Sequence, residues 1–423
     1  MAALTGRIET AEIVAVGSEL LTAHRIDTNS LYLTGALNAL GIVVAIKHVV
    51  GDRPAALRAV LQEAVSRADV VITTGGLGPT DDDLTREVVA ETLGLALHGV
   101  PEILEIITQR FARRGARMPE VNRRQARVID GARWLPNTHG TAPGQIVTSG
   151  NRLVILLPGP PSELEPMFEA SVAPVLAARA GGRRLRRRVL KTTGRSESQV
   201  EELAQPVYAP LVDETPPIET TILASPGLVE LHLSCSGDDE ATLDAALDRA
   251  IGRLTDALGD AVFSSDGRAI EDIVGALLVE RGWRVAAAES CTGGQVLQRL
   301  TDVPGSSAWV LGGVVAYDNA VKVEILGVPD RVIATDGAVS DQVALAMADG
   351  VRSCTGAEIG IGVTGIAGPG GGSPEKPVGT VFVAVTSAAR RDVRQFLFPG
   401  TRAMVRTFSA AAALDMVRRH LQG

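Results

Sequence analysis

A short apolar run, Asp69–Thr74 (DVVITT), breaks into Gly75-Gly76-Leu77-Gly78-Pro79, and a helical segment begins at Thr85. A buried strand that ends in glycines and opens a helix narrows the possible folds more than any other feature here. The surrounding sequence alternates in the same sense. Ala11–Gly17 and Ile42–Val50 read as strands. Asn29–Leu40 has helical spacing, with Leu31, Leu33, Leu37 and Leu40 on or near one face and Gly41 as its stop. Ala55–Ala68, Thr85–Leu93 and a stretch after Pro101 read as further helices, and Arg152–Leu157 as a strand, with the unit ending near Val175. Alternation of this length predicts a doubly wound α/β domain: a parallel sheet with helices on both faces.

Ala177–Arg188 (AARAGGRRLRRR) interrupts the pattern and reads as a solvated, arginine-rich linker entering a strand. A small α+β unit follows. Ser196 with Gln199 forms a capping-box pattern. Thr220–Ala224 and Leu228–Ser234 form a hairpin across Ser225-Pro226-Gly227, and Asp239–Leu258 is helical. From about Ser264 the α/β alternation returns: helix Ala269–Arg281, strand Arg284–Ala288, helix Asp341–Thr355, strands Glu358–Val363 and Gly379–Thr386, and a last helix from Arg402 to Leu421. The expected domains are 1–176, 177–263 and 264–423, in line with about 150 residues per domain.

Aromatics make up 3% of the 423 residues, so the cores must be built from Val, Leu, Ile and Ala. The formal net charge of −8 argues against a protein that coats nucleic acid or an anionic membrane. The three cysteines are too few and too scattered for a disulfide framework or a four-thiolate zinc site. No run reaches the roughly 18 apolar residues of a membrane span, and the opening stretch up to Glu9 lacks the pattern of a secretory signal. A cytoplasmic protein is expected, with no membrane partner and no direct nucleic-acid partner.

In the first unit, Gly75, Gly76, Gly78 and Thr80 sit where a strand ends and a helix begins, a place suited to a phosphate. Asp81, Asp82 and Asp83 would repel that phosphate unless they hold a divalent cation bridging to it. A tight turn with an acidic helix cap is the plainer alternative. Ser18 and Glu19 after the first strand, Gly51-Asp52 after the second, Gly140–Gly144 (GTAPG) and Leu157–Pro161 (LPGPP) could converge on the same crevice.

In the third unit, Ser290-Cys291-Thr292-Gly293-Gly294 again ends a strand and opens a helix, placing small hydroxyls where a nucleophile or a phosphate contact belongs. It is not a Gly-x-Ser-x-Gly elbow, and only His420 follows downstream, so a serine here needs another base. Gly312–Lys322 (GGVVAYDNAVK) offers Tyr317 and Lys322; on spacing alone Lys322 reads as a surface helix residue. A long glycine loop, Gly362–Thr380, and the pair Arg402 and Arg406 on one helical face complete the set.

The motifs GSELL, TTGGLGPTDDDLT, GTAPG and LPGPP resemble the molybdopterin-binding-like domain of molybdenum-cofactor biosynthesis proteins. Asp52 and Asp83 match acidic residues important in that family. With SCTGG, GGVVAYDNAVK, GVTGIAGPGGGSPEKPVGTV and FPGTRAMVR following in order, the whole chain resembles the CinA family (competence/damage-inducible protein A). The resemblance implies two doubly wound α/β domains joined by a small KH-like domain. That middle domain lacks the GXXG loop with which RNA-binding KH domains clamp a backbone, so a spacer or dimerisation module is expected there. The resemblance also implies hydrolysis of nicotinamide mononucleotide (NMN) to nicotinate mononucleotide and ammonia in the third domain, with no cofactor. Ser290 would be the nucleophile, activated by Lys322 and Tyr317, with helix amides near Thr292 stabilising the oxyanion. Thr292, Gly293, Thr364, Gly365, Arg402 and Arg406 would bind the substrate. For the first domain it implies an ADP-ribose pyrophosphatase with a divalent metal at Asp52, Asp81, Asp82 and Asp83. A homodimer is implied as well. A second reading is a nucleotide- or pterin-binding protein that acts through partners in competence or the response to DNA damage.

Overall fold

The computed structural model describes residues 6–423; the first five residues, which belong to the opening stretch and to the expected first domain, lie outside the described residues. Among the described residues two compact units are present, 6–186 with 236–244, and 187–235 with 245–423.

The first unit begins β1 (Thr10–Val16), α1 (Thr28–Ala39), β2 (Val43–Val50), α2 (Pro54–Arg67), β3 (Val70–Thr74) and α3 (Thr85–Leu93). It continues through β4 (Leu97–Gly99), α4 (Pro101–Arg113), β5 (Arg127–Ile129), β6 (Arg133–Leu135), β7 (Gly144–Ser149), β8 (Arg152–Leu157), α5 (Pro161–Met167) and α6 (Ala173–Ala180). The main sheet has the order β2-β1-β3-β8-β7-β6, and β4 pairs with β5 in a separate ribbon. Successive strand residues point to opposite faces, and both faces are covered. Ile13, Ile72 and Ile155 pack under Leu33, Leu37, Leu164 and Leu176, while Val14, Val71 and Val154 pack under Leu57, Leu61, Val88 and Val89. Of the leucines expected along α1, Leu33 and Leu37 are buried but Leu31 faces outward, since two residues turn a helix by about 200°.

The expected all-parallel sheet is in fact mixed. The four strands β2, β1, β3 and β8 run parallel, whereas β7 and β6 are antiparallel. A two-residue turn, Gly150-Asn151, reverses the chain between β7 and β8, with Ser149 paired to Arg152. Gly-Asn between two such runs is a hairpin signal.

The arginine-rich stretch also differs from expectation: Arg184–Thr192 is a strand, β9, rather than a linker. Two of its cations are neutralised by helix α8 (Glu240–Leu258), where Glu240, Asp244 and Asp248 recur at one-turn spacing. Arg186 pairs with Glu240 and Asp244, each at 2.9 Å, and Arg188 with Asp248 at 3.2 Å. Between β9 and α8 lie α7 (Glu197–Tyr208), β10 (Glu219–Ser225) and β11 (Leu228–Gly237). The predicted capping box is formed: Ser196 Oγ accepts from the Gln199 amide and Gln199 Oε1 from the Ser196 amide. Strand β12 (Val262–Ser264) completes a sheet of order β10-β11-β9-β12.

The rest of the second unit comprises α9 (Ile270–Arg281), β13 (Val285–Glu289), α10 (Gln295–Thr301), β14 (Val310–Val315), α11 (Asn319–Glu324) and α12 (Asp330–Asp336). Then come α13 (Asp341–Thr355), β15 (Ile359–Gly365), β16 (Thr380–Thr386), β17 (Arg391–Leu397) and α14 (Arg402–Gln422). The sheet order is β14-β13-β15-β16-β17, parallel over the first three strands and antiparallel over the last two. Ala287, Ile361 and Val383 face α9 and α14, and Ala286 and Ala288 face α13. Small residues let the layers close up: a Cβ on Gly362 would lie 2.1 Å from the Ala344 carbonyl oxygen of α13. No helix among the described residues is long and apolar enough to cross a membrane.

Replacing Gly362 with Ala should therefore push α13 off β15 and cost about 1–3 kcal/mol, measured by chemical denaturation. An unchanged midpoint would contradict the backbone contact.

Candidate functional site

Strand β1 lies between β2 and β3, so the connections from β1 and β3 diverge and leave a crevice at their carboxyl ends. A cavity of about 720 Å³ occupies it. Glu19, Asp52, the turn from Gly75 to Thr80, Thr141 and Pro158–Pro161 all line it, so the four sequence motifs do converge. Gly75 and Gly76 both adopt positive φ (91° and 66°), and a Cβ on Gly76 would sit 2.1 Å from Thr85 Oγ1. Thr85 Oγ1 in turn donates to the Gly75 carbonyl at 2.9 Å.

Arg86, which sequence reasoning missed, is fully buried beneath this turn. Its guanidinium donates to the carbonyls of Leu77 (3.0 and 3.2 Å) and Gly78 (3.3 Å). Burial drives its pKa down, against the pull of Glu87 and Asp83. An arginine directly after Thr85, the residue whose hydroxyl ties the helix start to the turn, was the signal available in the sequence.

The predicted acidic residues separate in space. Asp82 and Asp83 line the crevice and accept from Thr80 Oγ1, each at 2.5 Å; Asp83 also accepts from the Thr80 amide at 2.9 Å. The Thr80 bond holds the Asp82 carboxyl below the usual range. Asp52 is braced by Ser18, whose amide donates to its carboxylate at 2.8 Å and whose Oγ accepts from its amide at 3.1 Å. Asp81 departs from the prediction: its side chain is solvent-exposed and pairs with Arg124 at 3.1 Å. No three His, Cys, Asp or Glu among the described residues gather as a metal-holding group. The four predicted ligands thus do not form one coordination set. Asp52, Asp82 and Asp83 nonetheless offer hard oxygen donors in the crevice, the kind a cation uses when one or two carboxylates and substrate phosphates complete its shell.

In the second unit, β13 lies between β14 and β15, again a point where connections diverge. Ser290 follows β13, its amide donates to the Val363 carbonyl (2.9 Å), and Ala316 after β14 donates to Glu289 (2.7 Å). Ser290 and Tyr317, just past β13 and β14, and Thr364, near the end of β15, therefore lie at the same end of the sheet. Lys322 is buried rather than on the surface, and its Nζ donates to the Tyr317 carbonyl (3.4 Å) and Asn319 Oδ1 (3.3 Å). Burial lowers its pKa below the usual 10.5, with Asp318 and Cys291 pulling it back up. Burial pushes the Cys291 thiol up to about 12, which removes it as a nucleophile.

Tyr317 is exposed, and its hydroxyl accepts from Arg402 Nη2 at 2.7 Å, while Arg402 Nη1 donates to the Gly368 carbonyl at 2.8 Å. Arg406 donates to the Thr292 carbonyl (2.8 and 3.1 Å) and lies against Gly293. Thr364 is buried, and its hydroxyl donates to the Ala338 carbonyl at 2.7 Å, so its proton is spent inside the fold. Gly365 closes β15 next to it.

Glu289 was missed by sequence reasoning and changes the expected roles. Its fully buried carboxylate accepts from the amides of Gly294 (2.9 Å), Val296 (3.1 Å) and Leu297 (2.9 Å) at the start of α10. These helix amides are therefore not free to stabilise an oxyanion. The available signal was a lone acid ending an alanine strand just before the glycine turn. Thr292 Oγ1, by contrast, is buried and has no hydrogen-bond partner.

Residues 12–178 match the family of probable molybdopterin binding domains, 187–264 the damage-inducible protein CinA KH domain, and 267–421 the CinA C-terminal domain. The chain is 46% identical over 415 residues to a CinA-like protein of Koribacter versatilis, covering 97% of this chain and 99% of that one. It is 46% identical over 425 residues to a putative competence-damage inducible protein of Symbiobacterium thermophilum, covering 98% and 99%. The crystal structure of competence/damage inducible protein CihA from Agrobacterium tumefaciens is 38% identical, covering 38% of this chain and all of that one, with a TM-score of 0.35. Fold and motifs together define a protein with two α/β domains around a KH-like one. The chain belongs to the CinA family of competence/damage-inducible proteins.

Replacing Glu289 with Ala should strip three buried amides of their acceptor and cost about 3 kcal/mol or more, read as a denaturation midpoint. Glu289→Gln should recover only part, because its NH₂ would face an N–H. Wild-type stability in both would contradict the anchoring role.

Proposed function

We propose that the C-terminal domain hydrolyses the carboxamide of NMN to nicotinate mononucleotide and ammonia. The observation that carries this reading is Lys322: a buried amine, biased toward its neutral form, at the end of the sheet where Ser290 lies. In the proposed reaction neutral Lys322 takes the Ser290 proton as Oγ attacks the carboxamide carbon. The tetrahedral intermediate collapses, the C–N bond breaks, and the leaving nitrogen receives the proton from Lys322 and departs as ammonia. Lys322 then deprotonates water, which attacks the ester carbon, and Ser290 recovers its proton as nicotinate mononucleotide leaves.

With the Gly294, Val296 and Leu297 amides held by Glu289, side chains take a share in stabilising the oxyanion. Tyr317 accepts from Arg402 through its oxygen, which leaves its O–H to donate to the oxyanion; the unpartnered Thr292 hydroxyl is a second donor to substrate. The remaining N–H groups of Arg402 and Arg406 suit the 5′-phosphate.

For the first domain we propose ADP-ribose pyrophosphate hydrolysis, with the glycine turn cradling the phosphates. Asp52, Asp82 and Asp83 would hold a divalent cation, which when bound supplies charge neutralisation and an acidified water. Ser18 fixes the Asp52 carboxylate, and Thr80 orients those of Asp82 and Asp83.

Ammonia release from NMN should fall at least about a hundredfold in Ser290→Ala and in Lys322→Ala. Because Lys322 must be neutral to act, kcat/KM should rise with pH and level off once its lowered pKa, below 10.5, is passed. Unchanged release in both variants would end the assignment. ADP-ribose turnover should require added divalent metal and collapse in Asp83→Ala; full turnover in the presence of a chelator would refute the cation.

A further inference from the structure

Within the second unit, a cavity of about 480 Å³ opens between the start of α7, the tip of the β10–β11 hairpin, β17 and α14. Neither proposed activity uses it. Its apolar side is unusual for a chain with so few aromatics: Phe396, Phe398 and Phe408 all line it and form a parallel stack. The ring centroids lie 5.2 and 5.4 Å apart, with interplanar angles of 12° and 9°. All three rings are only half-buried. Parallel phenyl rings extend naturally by one more flat ring, since offset stacking is favourable.

The rim supplies charge. Arg195 and Arg394 line the cavity and are exposed, and their guanidiniums have no hydrogen-bond or ion-pair partner among the described residues; Glu197, also exposed, is the one acid on the lining besides Asp415. A third lining arginine, Arg419, is committed to Asp415 at 2.7 Å, and Asp415 is further neutralised by Arg418 at 2.7 Å. Two unspent guanidiniums thus stand beside an aromatic stack, in a protein whose net charge is −8. The volume falls in the range of about 300–1,000 Å³ typical of small-molecule sites. It exceeds what a single-ring acid would fill.

From this we infer that the cavity is a binding site for a planar aromatic anion of nucleotide size, a nucleoside monophosphate, whose base stacks on the phenylalanines and whose phosphate meets Arg195 and Arg394. The cavity is lined neither by Ser290 nor by any residue of the first unit's crevice, so the inference stands or falls separately from either activity.

The test is calorimetric titration of the full chain with AMP. Wild type should bind it. Ala412→Trp, which fills the cavity from α14, should abolish that binding, and the surface double variant Arg195→Gln/Arg394→Gln should weaken it at least about tenfold. The second variant keeps the test decisive should the first misfold. Ser290→Ala and Asp83→Ala should bind AMP as wild type does. Adenosine, lacking the phosphate, should bind at least about tenfold more weakly than AMP. No AMP binding, binding unaffected by the arginine changes, binding lost in Ser290→Ala or Asp83→Ala, or equal affinity for adenosine would each overturn the inference.

Discussion

Both candidate sites depend on a buried charge that freezes a glycine turn. In the first unit Arg86 grips the carbonyls of Leu77 and Gly78. In the second, Glu289 grips the amides of Gly294, Val296 and Leu297. A buried ion is costly unless its hydrogen bonds are made, so each charge and its turn can be stable only together. The polarity of the lock also decides what each turn offers a ligand. A cation spends carbonyls, whereas an anion spends the helix amides that would otherwise suit an oxyanion.

That difference reshapes the chemistry expected at the serine. The strand–turn–helix pattern around Ser290 resembles the one around Gly75, yet the two helix starts are not equivalent. At Ser290 the amides of Gly294, Val296 and Leu297 are spent on Glu289, while the buried Thr292 hydroxyl has no partner. Lys322 owes its lowered pKa to the packing of α11 against the sheet edge, where desolvation outweighs the opposing pull of Asp318. The same burial that makes Lys322 a candidate base makes Cys291 inert.

Much of the fold was legible because the strands are short apolar runs bounded by glycines and the helices carry clear period and stops. The hairpin β10–β11, the α7 capping box and the terminal helix α14 stand where the pattern placed them. Misreadings came where a local rule met a distant partner. Arg184–Arg188 looked like a solvated linker because the acids that neutralise it lie on α8, about 60 residues on. The antiparallel edge of the first sheet was missed because Gly150-Asn151 is a weak signal beside the long α/β pattern. In the sites, Ser290 and the glycine turn of the first unit could be picked out by residue type and spacing, whereas Lys322 read as a surface residue on spacing and came in only through the family resemblance. Asp81 could not be told from Asp82 and Asp83, since three adjacent aspartates look alike until the turn points one of them at Arg124.

The sequence by itself determined the class of fold, the order of the domains, their aromatic-poor cores and the strand ends at which chemistry would gather. These follow from local period, small residues and glycine stops, which act over a few positions. Only the tertiary structure decided which charges are buried, which amides remain free, and that three phenylalanines from β17, its exit and α14 stack beside a small α+β module. Those outcomes depend on desolvation and on hydrogen bonds between residues far apart in the chain, and no local pattern encodes either.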